Sequence, residues 1–221
     1  MLPLRDIIPT RTAPWVSLSI AASLLVVFLV ERFSSAETLR AFFWTAGVVP
    51  SFASWPTMIS AVFIHAGWLQ VVSNVACLAL FGEAVEDRLG HGRFLLLFYL
   101  AGSVGNLVHV VIAPHSLTPM VGSGGAVAGV LAGHLTLFPH SRVLTWIPVP
   151  GAARVDEVPA GYFLVGWLAV QLLGAGELSV MTLAGALGTS PWALLGGFTA
   201  GLVATLALRR RDREAVDWWH P

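Results

Sequence analysis

Polar side chains that stand inside apolar stretches are the residues of this sequence whose chemistry could matter. His65, Gln70 and Asn74 fall in one such stretch. On a helix, residues 70 and 74 lie one turn apart on the same face, and residue 65 lies roughly 140° from residue 70. Polar groups inside a membrane are costly, so they mark either hydrogen-bonded packing partners or a pathway for polar solutes.

Two further apolar stretches carry Asn106 with His109, again on one face, and His134. Imidazole nitrogens can bind metals, but these histidines lack any compact ligand spacing. We therefore expect no metal and no cofactor. We expect His109 and His134 to bind a backbone carbonyl or a side chain within the helix bundle.

The composition indicates lipid as the solvent. Of 221 residues, 56% are hydrophobic and 11% are charged, and the mean hydropathy is +0.78. An ordinary soluble domain has about 25% charged residues. The formal net charge is zero, which argues against nucleic acid as a partner.

Six stretches approach the roughly 20 apolar residues that a helix needs to cross a bilayer. They are residues 14–32, 57–81, 93–113, 123–138, 160–176 and 190–208. This predicts an all-α integral membrane protein with an N-terminal segment at 1–13, a transmembrane domain at 14–208 and a C-terminal tail at 209–221. The fourth and fifth stretches are short and glycine-rich, which favours helices buried within the bundle.

Arginine placement predicts the orientation, because basic residues concentrate in cytoplasmic loops. Only Arg32 and Arg40 follow the first stretch, whereas the other ten arginines fall on the opposite side. We expect a multi-pass protein of the cell membrane with both termini cytoplasmic. The aromatic segment 33–56 would then form an extracytoplasmic element lying in the membrane interface. In the segment after the second stretch, we expect Glu83, Glu86 and Asp87 to pair locally with neighbouring arginines and cap two helices.

Glycines repeat every four residues in two of the stretches. Gly125, Gly129 and Gly133 do so in the fourth, and Gly197 and Gly201 do so in the sixth. Small residues at this spacing let helix backbones approach closely in lipid. The pattern predicts that the fourth and sixth helices are neighbours.

Four sequence blocks resemble the rhomboid family of intramembrane serine proteases. They are FIHAGWLQVVSN (63–74), FGEAVEDRLGHGRFLLLFYLAG (81–102), MVGSGGAVAG (120–129) and WALLGGFTAGL (192–202). The resemblance covers about residues 55–205 and implies a six-helix rhomboid bundle. It also implies serine endopeptidase chemistry, with a serine that begins the fourth helix, a histidine base on the sixth, and a histidine and an asparagine on the second that hold the oxyanion.

This sequence departs from that pattern at the reactive positions. Aligned without gaps, the family nucleophile falls on Gly124 and the family base falls on Leu194, while Ser123 stands one place early. The second-helix pattern becomes His65, Gln70 and Asn74. An amide can still donate a hydrogen bond, so Gln70 and Asn74 would be remnants of an oxyanion pocket.

Three functions follow from this comparison. The first is a pseudoprotease that binds transmembrane segments of client proteins, within the lipid bilayer, without cleaving them. The second is an active endopeptidase that uses Ser123 with an atypical base. For that role we expect His65, on the second helix, and His134, some 16 Å along the helix of Ser123, to lie too far away. The third is a transport or structural subunit, although the stretches show no inverted repeat.

Overall fold

The computed structural model describes residues 2–149, 152–176 and 190–209, and the predicted tail beyond residue 209 lies outside this range. The described residues form a helix bundle. Its helices are α1 (Trp15–Phe33), α2 (Ala36–Ala46), α3 (Trp55–Ser60), α4 (Trp68–Cys77), α5 (Glu83–Leu89), α6 (His91–Ile112), α7 (Gly124–Leu137), α8 (Ala160–Gly176) and α9 (Pro191–Leu208). Short 3₁₀ turns occupy Pro50–Phe52 and Ala61–Phe63, and a π-helical turn at Leu78–Gly82 joins α4 to α5.

Four helical segments are long and apolar enough to cross a membrane, and they are Trp15–Phe33, Trp68–Leu89, His91–Ile112 and Pro191–Leu208. Helices α7 and α8 are apolar but shorter. The predicted membrane bundle is therefore confirmed among the described residues. The chain is a multi-pass membrane protein.

The second predicted span, 57–81, is misplaced. Residues 57–67 form α3, a 3₁₀ turn and an extended loop, and the long helix runs instead from Trp68 to Leu89. The loop is stable because side chains bind its backbone amides. Glu31 accepts the His65 N–H at 3.2 Å, and Gln70 Oε1 accepts the Ala66 N–H at 2.8 Å. These bonds satisfy amides that a helix would otherwise have used.

The two short spans differ in burial. In α7 every residue from Gly124 to His134 is buried, as predicted. Helix α8 is peripheral, since Tyr162 and Val165 are 73% and 68% exposed, so the prediction of burial is wrong for this helix. Glycine content therefore indicates a buried helix only where the glycines face another backbone.

Helices α6, α7 and α9 touch through their backbones. A Cβ added at Gly197 would lie 2.1 Å from the Gly125 carbonyl oxygen, and one added at Gly201 would lie 2.3 Å from the Gly129 Cα. At Gly105 of α6 an added Cβ would lie 2.4 Å from the Ala193 oxygen. The predicted contact between the fourth and sixth membrane helices is confirmed, and α6 joins them.

A three-stranded antiparallel sheet, which the sequence analysis did not predict, accompanies the bundle. Its strands are β1 (Leu2–Asp6), β2 (Arg142–Val149) and β3 (Ala152–Pro159), in the order β1-β2-β3. In the register, Trp146 pairs with Val155, and Asp6 pairs with Val143. Asp6 Oδ2 also lies 2.6 Å from Nε2 of the buried His134, so the N-terminal strand is tied to α7.

The acidic segment of α5 binds the N-terminal chain. Glu86 accepts the Val16 and Ser17 amides at 2.9 and 2.7 Å and therefore caps the first turn of α1. Asp87 accepts the Thr12 amide at 2.9 Å. Capping of α1 by this segment is confirmed. The predicted pairing with neighbouring arginines is wrong for Glu86, because its partners come from the distant N-terminus and from His91, and Arg93 donates to the Leu208 carbonyl.

Residues 33–56 form ordered elements rather than a free loop, as predicted. Helix α2 is capped by the Ser35 side chain, which accepts the Thr38 amide. It buries Phe43 and leaves Trp44 half exposed. An amphipathic helix with exposed aromatic side chains suits the polar boundary of a bilayer.

We expect Gly197→Ala to destabilise the protein, because the added methyl group would meet the Gly125 carbonyl and push α7 and α9 apart. Overpacking of this kind costs about 1–3 kcal/mol, which thermal unfolding in detergent will detect as a lower midpoint. Gly166→Ala on α8 is the matched control, since its Cβ would meet nothing within 4 Å. Equal midpoints for the two variants would contradict the backbone contact.

Candidate functional site

The candidate site lies where the loop before α4 meets the start of α7. Gly122 has a φ of 126°, in the left-handed region that favours glycine, and its amide donates to the Ala61 carbonyl at 2.9 Å. This turn places Ser123 at the N-cap of α7, opposite the loop that carries His65. An N-cap serine usually binds an amide of the first helical turn, but here its side chain makes no such bond.

Ser123 instead binds His65. The Ser123 Oγ lies 3.0 Å from His65 Nε2, and His65 Nδ1 lies 3.2 Å from the Phe63 carbonyl oxygen. A carbonyl can only accept, so Nδ1 carries the proton and Nε2 is the acceptor. The Ser123 hydroxyl therefore donates to a neutral imidazole, which is the hydrogen bond that nucleophile and base share in serine enzymes.

The expectation that His65 lies too far from Ser123 is wrong. It rested on placing residue 65 on the same helix as residues 70 and 74, about 140° around the axis. Helix α4 begins only at Trp68, and His65 belongs to the extended loop before it. A helical angle does not apply to a residue outside the helix, and the loop brings the imidazole to the end of α7.

Asn74 and Gln171 extend the hydrogen bonds to a third element. Asn74 Nδ2 lies 3.3 Å from His65 Nε2, and Gln171 Nε2 donates to Asn74 Oδ1 at 3.2 Å. The chain of donors thus runs from α8 through α4 to the loop. Gln171 was missed from the sequence, although a single amide in an apolar span was a usable signal.

Gln70 forms hydrogen bonds with the backbone of two separate segments. Its Oε1 accepts the Ala66 amide, and its Nε2 donates to the Val121 carbonyl at 3.0 Å. One side chain therefore joins the loop before α4 to the segment that leads into Ser123. The hydrogen bond from its amide to the Val121 carbonyl therefore stabilises the local fold.

Gly124 and Leu194 lie at the starts of two helices that are in contact. Gly124 is the first residue of α7, and Leu194 lies in the first turn of α9. A Cβ at the adjacent Gly125 would lie 2.9 Å from the carbonyl oxygen of Ala193, so the two helix starts are in contact. Both residues are buried, and neither carries a group that can exchange a proton.

The Ser123–His65 pair is enclosed. Ser123, Asn74 and His65 expose 0%, 0% and 1% of their surface. A substrate carbonyl would need to reach Ser123 Oγ, and this requires the loop and helix starts to separate. In addition, His65 Nε2 already accepts a hydrogen bond from the Asn74 amide. This bond competes with the serine hydroxyl for the single lone pair of Nε2.

The remaining polar residues lie in other parts of the bundle. Asn106 donates to the Met58 carbonyl at 2.8 Å, which fixes α3 against α6. His134 binds Asp6, as the prediction of a side-chain partner required, and this partner comes from the N-terminal strand. For His109, Nδ1 is buried and has no partner among the described residues. Within residues 2–149, 152–176 and 190–209, no group of three or more His, Cys, Asp or Glu side chains is placed to hold a metal ion.

Comparison with known families gives the class of protein. The Rhomboid domain family matches residues 52–211, which is more than half of the chain. This range contains Ser123, the loop of His65, and helices α4 to α9. The chain belongs to the rhomboid family.

Individual relatives carry the same family name. The chain is 32% identical over 117 residues to "Rhomboid protease GluP" of Bacillus subtilis, covering 52% of this chain and 22% of that protein. It is 29% identical over 168 residues to "Rhomboid protein 1, mitochondrial" of Saccharomyces cerevisiae, covering 74% and 47%. It is 27% identical over 133 residues to mouse "Presenilin-associated rhomboid-like protein, mitochondrial", covering 59% and 35%. The chain thus spans less than half the length of each of these relatives.

We expect Ser123 and His65 to be coupled energetically through their hydrogen bond. A double-mutant cycle of Ser123→Ala and His65→Ala, measured by thermal unfolding in detergent, should give a coupling of about 1 kcal/mol. Ser73→Ala paired with His65→Ala is the control, because the Ser73 hydroxyl donates to the Gln70 carbonyl instead. Zero coupling in the Ser123 cycle would refute the hydrogen bond.

Proposed function

We propose that this protein is a rhomboid-family pseudoprotease that binds transmembrane segments of client proteins and does not cleave them. The observation that carries the proposal is the contact between the starts of α7 and α9, where Gly124 and Leu194 occupy the positions that the family resemblance assigns to nucleophile and base. Leu194 is 0% exposed. A leucine side chain can neither take a proton from a serine nor return one to a leaving amine.

The packing supports a protein that keeps the helix contacts of the family fold but lacks its reactive side chains. Gly125 and Gly197 retain backbone contact between α7 and α9 directly beside the two positions. The hydrogen bonds of His65, Gln70 and Asn74 all hold the loops around this point together. Loss of the reactive side chains therefore leaves the surrounding fold supported.

The client segment is proposed to dock beside α4 and α8. Exposed apolar residues line the outer surfaces of both helices, including Leu69 and Val72 on α4 and Val165 on α8. The Gln171–Asn74 hydrogen bond is the polar link between them. A client helix with polar residues can exchange hydrogen bonds with the partly exposed Gln171, which a purely apolar helix cannot do.

Both termini are proposed to face the cytoplasm. Ten of the twelve arginines fall on one side of the predicted spans, and Arg32 and Arg40 fall on the other. The hydrogen bond from Arg93 to the Leu208 carbonyl brings the start of α6 and the end of α9 to the same face, in keeping with this count.

A second function, an endopeptidase that uses Ser123 and His65, is favoured by one observation. Their 3.0 Å hydrogen bond has the geometry of an activated serine. The enclosure of both side chains and the shared lone pair of Nε2 weigh against it. The two proposals differ in whether Ser123 reacts.

We expect no labelling of the purified protein by a fluorophosphonate probe and no cleavage of a model transmembrane substrate. Without an accessible base-activated hydroxyl there is no nucleophile for the probe to modify. Labelling that disappears in Ser123→Ala would establish the endopeptidase and overturn the pseudoprotease. The double variant Gly124→Ser with Leu194→His restores the nucleophile and base of the family pattern and serves as the positive control for labelling and cleavage. Each single variant is a control for the double variant, because it restores only one of the two groups.

We expect client capture at α4 and α8. A photo-crosslinking amino acid in place of Val72 or Val165 should yield adducts with transmembrane segments that contain glycine or polar residues. Val26 on α1 is the matched control, since it is similarly exposed to lipid at 59%, against 51% and 68% for Val72 and Val165. Adducts of equal yield at all three positions would argue against a defined docking surface.

A further inference from the structure

A cavity of about 310 Å³ opens at the end of the bundle opposite the N-terminus. The last two turns of α1 supply Phe28, Glu31 and Arg32, and α2 supplies Phe43. The loop before α4 supplies His65, and the first residue of α4 is Trp68. Its volume falls at the lower end of the range for small-molecule sites, about 300–1,000 Å³. The walls are mostly apolar, with one acidic and one basic side chain among them.

Glu31 is the unusual member of this lining. Only 4% of its surface is exposed, and its Oε2 accepts the His65 amide. Its Oε1 is also buried, and within the described part of the chain it has no hydrogen-bond partner. A buried carboxylate oxygen without a donor is costly, so the site is complementary to a ligand that brings an N–H or O–H group.

Arg32 supplies the opposite charge at the same cavity. Its side chain is exposed, and it forms no ion pair with any described carboxylate. Guanidinium groups bind phosphate through paired N–H donors. A ligand that carries an ammonium and a phosphate a short distance apart would therefore satisfy Glu31 and Arg32 together.

The position of the cavity indicates where such a ligand comes from. It lies at the end of a membrane-spanning helix and is lined by the half-exposed Trp68, and the last residue of that helix, Phe33, is exposed as well. Aromatic belts of this kind mark the level of the lipid headgroups. Glu31 and Arg32 therefore lie at the level of phospholipid headgroups, which can carry both an ammonium and a phosphate.

We propose that this cavity binds the headgroup of phosphatidylethanolamine. The Glu31 carboxylate turns its buried Oε1 toward the cavity and accepts from the ammonium, and the phosphate accepts from Arg32. Phosphatidylcholine carries the same phosphate, but its trimethylammonium has no N–H to donate. Because Glu31 also holds the His65 amide, the bound lipid contacts the side chain that positions the loop facing Ser123.

The test is native mass spectrometry of the full chain in detergent, with phosphatidylethanolamine and phosphatidylcholine of identical acyl chains. We expect the ethanolamine lipid to bind at least about tenfold more tightly, the effect of one hydrogen bond to a charged group. Glu31→Gln should remove this preference, because its amide oxygen can still accept from His65, whereas the NH2 group that replaces Oε1 cannot accept from the ammonium. Arg32→Gln should weaken both lipids.

Two variants on α2 serve as matched controls, Glu37→Gln and Arg40→Gln, since they remove the same charges from exposed positions outside this cavity. Both should bind like the unmodified protein, and thermal midpoints verify that every variant is folded. Equal binding of the two lipids would overturn the proposal, as would identical behaviour of Glu31→Gln and Glu37→Gln. Displacement of the lipid by soluble phosphoethanolamine at similar concentration would overturn the lipid as the source.

Discussion

The Gly125 carbonyl lies against the backbone of Gly197, at a point where α7 and α9 have no room for any side chain. Apolar burial gives little net attraction between helices inside a bilayer, because lipid tails are as apolar as the side chains. Close backbone approach, with its dense van der Waals contact, is what remains. Through Gly105 this contact also includes α6, so three membrane helices have their relative positions set by glycine. The start of α7, at Gly124, and the first turn of α9, which carries Leu194, are brought into contact as a consequence.

The polar residues of the site stabilise the loops around it by hydrogen bonds to their backbone. An extended loop and a glycine turn approach the start of α7, and their amides and carbonyls must find partners away from water. Glu31, Gln70 and His65 provide them, and Ser123 completes the set by donating to the imidazole. These polar groups therefore stabilise the loops around the start of α7, whatever their part in chemistry. The enclosure of Ser123 follows from the same bonds.

The face that carries the N-terminus is organised by carboxylates. Glu86 caps α1 from the end of the second membrane segment, and Asp87 holds the chain just before it. Asp6 reaches His134 from the first strand, which ties the small sheet to the end of α7. At the opposite face, Glu31 holds the His65 amide with one carboxyl oxygen and keeps the other without a partner among the described residues.

The sequence by itself determined the membrane class, the helices and the contact between α7 and α9, because apolar length and glycine spacing are local properties that lipid rewards directly. The sequence also identified Gly124 and Leu194 as the residues at the family's nucleophile and base positions, because a motif alignment requires no three-dimensional structure. It did not predict the sheet, the exposed position of α8, or the start of α4 at Trp68, which depend on partners far away in the chain. The Ser123–His65 hydrogen bond was decided only by tertiary structure. A helical wheel assumes one continuous helix, and here Glu31 and Gln70, from two different helices, stabilise a loop that turns the imidazole toward the serine.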